Sequence, residues 1–148
     1  MIVNGATLHG RKPLTPMSPT KERQHGVSWG LGEAGYDVRI KQSVWLFPFR
    51  TFRLASTFEY FDMPPDLVGV VHDKSTWARR KLSVLNTVIE PGWRGFLTLE
   101  LTYHGILPLY IPANAGIAQV LFHQTTDKRY YDGKYQDQEN HPVPAIAS

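Results

Sequence analysis

The sequence predicts an all-β domain: a sandwich, jelly roll or barrel. Short runs rich in β-branched and aromatic residues recur through the middle of the chain, and turn-forming Pro, Gly and Asn separate them at spacings of about 8–12 residues. No stretch sustains a helical period. With 148 residues, one domain able to bury a proper core is expected over 1–148.

The elements follow in order. Ile2 and Val3 make a short first strand. The rest of residues 1–34 is rich in Gly, Pro, Ser and charge, and is read as a loop-rich arm. Tyr36 to Ile40, Val44 to Phe49 and Phe52 to Phe58 are β-prone runs, punctuated by Pro48, Pro64 and Pro65. Leu67 to His72 is apolar enough for a buried strand. Ser75 to Arg80 lacks a strand pattern and reads as a helical turn capped by Ser75. Leu82 to Leu85 and Thr87 to Ile89 look like two arms of a hairpin around Asn86. Gly95 to Tyr103, Leu107 to Ile111 and Ile117 to His123 complete the series. Residues 125–148 turn polar and end in Pro and Ala, but Tyr130, Tyr131 and Tyr135 suit a tail that docks.

The strand after Gly95 is the most informative. With a period of two, Leu97, Leu99, Leu101 and Tyr103 share one face, and Phe96, Thr98, Glu100 and Thr102 share the other. The leucine face belongs on a core. The carboxylate of Glu100 then faces either water or a site.

Composition narrows the chemistry. The chain has no cysteine, which removes cysteine nucleophiles, disulfides and thiolate zinc sites. Its six histidines show no pair at helical ligand spacing, so no zinc and no dedicated metal site are expected. No apolar run approaches the ~20 residues that span a bilayer, and the N-terminus lacks a signal-peptide core. A cytoplasmic protein without a membrane role is expected. The net charge of +3 fits a solvated surface or an anionic small ligand better than nucleic acid, because the cations are spread along the chain.

Four constellations could carry chemistry. In KSTWAR, Lys74, Ser75 and Arg79 bracket the helical turn; this is a capped surface turn or a phosphate site. Glu100 is a solvated residue or a base. The turn from Thr87 to Trp93 is structural, with Trp93 in the core, or it reads a nucleobase through its backbone groups. The segment YYDGKYQDQ, Tyr130 to Gln138, is a loose end or a lid.

Taken in this order, the pieces resemble the dCTP deaminase family of the dUTPase-like superfamily. GYDVRI (Gly35 to Ile40) resembles the family's early strand. MPPDLVGVVHDKSTWAR (Met63 to Arg79) resembles the strand entering its K/R-S-S-x-A-R motif. IEPGWRGFLTLEL (Ile89 to Leu101) resembles its D/E-P-x-W-x-G-x-x-T-L-E segment. ANAGIAQVLF (Ala113 to Phe122) and GKYQDQ (Gly133 to Gln138) match its G-I-A-Q strand and closing tail. The chain departs at Thr76, where the motif's second Ser stands, at Lys81, where Gly is common, and at Leu85-Asn86-Thr87, which replaces a His-x-Thr-Ala loop.

The resemblance implies a homotrimer of a distorted jelly roll with one or two short helices, and sites between subunits. It implies hydrolysis of dCTP to dUTP and ammonia without zinc, with Mg²⁺ carried on the triphosphate and dTTP as a candidate inhibitor. Glu100, Ser75 and Arg79 would be catalytic. Lys74, Thr76, Glu90, Trp93, Thr98, Gln119, Tyr131, Lys134 and Gln138 would bind the nucleotide, the last tail residues closing over the phosphates. Two other readings stay open: a bifunctional enzyme that continues to dUMP and pyrophosphate through Glu90, and a nucleotide-binding trimer whose site has lapsed.

Overall fold

The computed structural model describes residues 1–147. Ser148, the last residue of the tail expected to close, lies outside the described residues. Alternating burial builds most of the strands. β1 (Ile2–Val3), α1 (Gly5–Arg11), β2 (Leu14–Thr15), β3 (Lys21–Gln24) and β4 (Val27–Leu31) come first. They are followed by β5 (Tyr36–Arg39), β6 (Val44–Leu46), β7 (Phe52–Asp62), β8 (Leu67–Asp73) and the one-turn α2 (Ser75–Ala78). β9 (Leu82–Val84), β10 (Val88–Ile89), β11 (Arg94–Tyr103), β12 (Leu109–Ile111) and β13 (Gly116–Gln124) complete the chain.

The strands form a seven-stranded sheet in the order β10-β8-β13-β5-β4-β3, with β1 also on β13, and a four-stranded sheet β2-β7-β11-β9. A small β12-β6 ribbon stands beside them. The strand pairs are antiparallel. Apolar faces of both large sheets close on one core, with Val38, Ile40, Leu99, Leu101, Val120 and Phe122 fully buried. Among the described residues this is the predicted all-β architecture, a distorted jelly roll with two short helices. No helix among the described residues is long and apolar enough to cross a membrane.

Three expectations are corrected. The arm before residue 35 is structured: it holds α1, β2 and the β3–β4 hairpin. α1 contains two glycines and buries only Leu8, and β3 is the polar run KERQ on a sheet edge, so neither carries a periodic apolar signal. The hairpin is set by His25 and Gly26, at φ 54° and 74°, between the paired residues Gln24 and Val27. Two successive positive φ values give the turn the twist that antiparallel strands need.

The second correction concerns α2. Its N-cap is Lys74 in extended backbone, and no side chain caps it; Ser75 is already helical. The turn is held instead by Trp77, whose buried indole N–H donates to the Gly116 carbonyl at 2.6 Å. Just beyond it, Lys81 adopts φ 68° at the position where the resemblance expects glycine.

Third, the strands either side of Asn86 do not pair with each other. β9 pairs with β11, and β10 crosses to β8 in the other sheet.

A buried ion pair joins the two large sheets, Arg39 from β5 and Glu59 from β7. The Glu59 carboxylate, fully buried, accepts the Arg39 backbone N–H at 3.1 and 3.0 Å and its Nε–H at 3.0 Å. The guanidinium is stacked 3.7 Å from the Trp29 ring centroid and 4.1 Å from that of Phe58. Burial pushes the Glu59 carboxyl up to about 7, against the pull of Arg39.

Candidate active site in two halves

β11 sets out the first half. Leu99, Leu101 and Tyr103 are buried as the alternation predicts, and Glu100 is half-buried on the opposite face. Leu97 packs against the core as expected but is only partly buried. The register with β7 shifts between Phe96 and Thr98, the Leu97 N–H donates to Thr57 Oγ1, and the Leu97 side chain lines a cavity. Thr98 differs: it is buried beneath the tail rather than wet.

That cavity, about 540 Å³, brings together Glu100, Glu90, Thr98, Trp93, Tyr131 and Gln138 of the predicted residues. Glu90 is exposed at the turn into β11. Trp93 is mostly core, 5% exposed, tilted against Phe61, and it donates its indole N–H to the Tyr135 carbonyl at 2.7 Å. Thr87 and Tyr135, named above within the turn and the tail, also line the cavity, and so does Asn86, which was given no site role from sequence.

The tail forms its roof. The Tyr131 N–H donates to the Pro91 carbonyl, Gln136 Nε2 to the Gly92 carbonyl, and the Phe96 N–H to the Gln138 carbonyl, at 2.8, 3.0 and 3.0 Å. Thr98 Oγ1 donates to Gln138 Oε1 at 3.2 Å and accepts the Val143 N–H at 3.0 Å. Gly95 makes room for this: a Cβ there would sit 2.6 Å from the Gln138 nitrogen. Lys134 is exposed and donates to the Ile146 carbonyl at 2.6 Å, outside the cavity lining.

The second half is a polar cavity of about 320 Å³ lined by Lys74, Ser75, Thr76 and Gln119, together with Lys21, Ser28, Asp37 and Asp73. Gln119 on β13 sits in register between Asp37 on β5 and His72 on β8. Lys74 Nζ donates to Asp37 Oδ2 at 2.6 Å and to Ser28 Oγ at 3.0 Å. Sequence reading missed Lys21 and Ser28 because the hairpin carrying them was taken as loop. Asp37 lies within GYDVRI, but no spacing pointed it at Lys74. Arg79 is exposed at the end of α2, its N–H on the Ser75 carbonyl at 3.0 Å, and it lines neither cavity.

The two cavities share no lining residue. Within one chain the fold therefore does not bring Ser75 and Arg79 to Glu100. Among the described residues no three His, Asp or Glu side chains converge as a metal cage. Mg²⁺ is ordinarily held by one or two carboxylates plus substrate phosphates. Asp37 and Asp73 line the polar cavity, but Asp37 is paired with the Lys74 ammonium and Asp73 Oδ1 accepts the Val84 N–H at 2.7 Å, so the metal's ligands there would come chiefly from substrate phosphates.

A dCTP deaminase-like family profile matches residues 49–125. A dCTP deaminase of Campylobacter jejuni subsp. jejuni serotype O:6 is 35% identical, covering 92% of this chain and 91% of its own. The dCTP deaminase of Campylobacter fetus subsp. fetus is 37% identical over 81% and 82%. The chain belongs to the dCTP deaminase-like family. The fold of this dCTP deaminase-like chain is shared with dUTPases. The EIAV dUTPase superposes with a TM-score of 0.59 at 17% identity, covering 82% of this chain and 96% of its own. A dUTPase from phage phi11 of S. aureus, described with a structural Mg(II) ion, gives 0.59 at 17%, covering 82% and 95%.

Proposed function

We propose that this protein is a homotrimeric dCTP deaminase, one domain per chain, that converts dCTP and water to dUTP and ammonia without zinc. The carrying observation is Glu100: a carboxylate on the rigid strand β11, facing a roofed cavity of about 540 Å³, in a chain whose relatives are named dCTP deaminase.

The chemistry follows from the groups available. A carboxylate held against a bound water can act on it as a general base. Glu100 takes a proton from water as its oxygen bonds to C4 of the cytosine. It passes that proton to N3, then takes the proton of the new C4 hydroxyl and passes it to the amino group, so that the C4–N bond breaks, ammonia leaves and the C4 carbonyl of uracil remains. Ser75 and Arg79 of an adjacent subunit position the water and steady the developing charge. The separation of the two cavities within one chain supports such a shared site.

The polar cavity suits the triphosphate, with donors from Lys74, Thr76 and Gln119. Mg²⁺ would arrive on the triphosphate and would neutralise phosphate charge when bound. Thr98, Trp93, Tyr131 and Gln138 would enclose the base and sugar, and Lys134 would reach the phosphates once the tail gives up Ile146. dTTP would compete for the same space.

Glu90 favours a second reading. It lines the same cavity as Glu100 and could activate a second water, giving dUMP and pyrophosphate. Incubation with dCTP and Mg²⁺, with the products resolved, tests both. Ammonia and dUTP support deamination alone. Pyrophosphate and dUMP support the bifunctional reading. Nucleotide binding without turnover overturns both.

A further inference from the structure

Asn86 occupies an unusual place in the sheet. β9 pairs with β11 through Val84 opposite Leu101, and the Leu85 N–H still reaches the Glu100 carbonyl at 2.9 Å. The main chain then leaves to become β10 in the other sheet. From there the Asn86 side chain continues the ladder. Its Oδ1 accepts the Glu100 N–H at 2.8 Å, and its Nδ2 donates to the Thr98 carbonyl at 2.7 Å. A side-chain amide thus stands where a peptide group of a neighbouring strand would stand.

This substitution has two effects. It satisfies two backbone groups of β11 that the departing strand would otherwise abandon beside a cavity. It also fastens the backbone on both sides of Leu99, so the segment carrying Thr98 and Glu100 is held from the β9 side as well as from β7. Asn86 itself lines the cavity with both residues. Aspartate cannot reproduce the arrangement, because it lacks the donor for the Thr98 carbonyl.

We infer that Asn86 is a positioning residue for the reaction: its amide fixes the backbone of Glu100 and thereby the aim of that carboxylate into the cavity. This rests on the proposed role of Glu100 and adds a residue to it. A displacement of a reacting group by as little as about 1 Å can cost on the order of a hundredfold in rate.

The test uses the full-length protein with dCTP and Mg²⁺, and compares Asn86→Ala, Asn86→Asp and Glu100→Gln. Asn86→Ala is expected to lower kcat by about tenfold or more while KM stays within about twofold. Asn86→Asp, which keeps the acceptor for the Glu100 N–H, is expected to lower kcat as well. Amide exchange at Glu100 should accelerate in the alanine variant and stay protected in the aspartate variant. If the alanine variant does not fold, the aspartate variant carries the kinetic test. A rise in KM at unchanged kcat overturns the inference and makes Asn86 a ligand contact. Wild-type kcat in the Asn86 variants, with Glu100→Gln inactive, overturns this inference alone. Turnover retained by Glu100→Gln overturns the functional reading and this inference with it.

Discussion

The Lys74 ammonium lies 2.6 Å from the Asp37 carboxylate, and the two side chains are only 9% and 11% exposed. Lys74 therefore meets any ligand with its charge already matched, and its value at the polar cavity is as an aimed donor. Removing one partner strands the other. Asp37→Asn is expected to destabilise the fold by about 3–5 kcal/mol, and Asp37→Asn with Lys74→Met together by much less. Urea unfolding of the two variants measures the difference.

Glu100→Gln preserves the shape of the side chain and removes its basicity. It is expected to lower deamination by about 10²–10⁴-fold while nucleotide affinity and oligomeric state stay as in the parent. Ammonia release and calorimetric titration with dCTP check the two halves of this expectation.

Glu59 makes stability depend on pH. Its carboxyl is pushed by burial from an ordinary 4.5 up to about 7. Between those values the folded protein keeps a proton that the unfolded chain has released. The folded state binds more protons there, so the Glu59 contribution is full below about 4.5 and declines as pH rises toward 7. The stability advantage of the parent over Glu59→Gln should shrink across that window. Unfolding curves of both proteins at its two ends measure it.

Gly95 holds the tail in place. It has φ 142°, and a Cβ would meet the Gln138 nitrogen at 2.6 Å. Gly95→Ala is expected to detach the roof, speeding protease cleavage after Thr125 and raising the KM for dCTP. Its own cost to the fold should be about 1 kcal/mol or more. Limited proteolysis followed by mass spectrometry reads the first effect, and steady-state kinetics the second.

Strand periodicity made the core legible. Leu99, Leu101 and Tyr103 are buried where the alternation puts them, because a pleated strand has only two faces. Partner choice was not legible. β9 and β10 look like one hairpin, since only long-range pairing sends them to different sheets. The polar edge strand β3 carries no apolar pattern, so the hairpin that brings Lys21 and Ser28 to the polar cavity could not be read. Within the site, Glu100 and the tail were legible as motifs. The Asp37–Lys74 pair and the Asn86 bridge were not, because each joins segments by side-chain geometry that no local spacing encodes.

The absence of any residue common to the two cavities has a genetic consequence. If each working site takes one half from each of two subunits, a Ser75→Ala chain and a Glu100→Gln chain are damaged in different halves. Mixed trimers would then contain junctions where both contributing halves are intact. Random assembly of equal amounts makes about a quarter of the junctions of this kind. Two inactive proteins, unfolded together and refolded, would regain activity by complementation, which neither protein refolded alone would do.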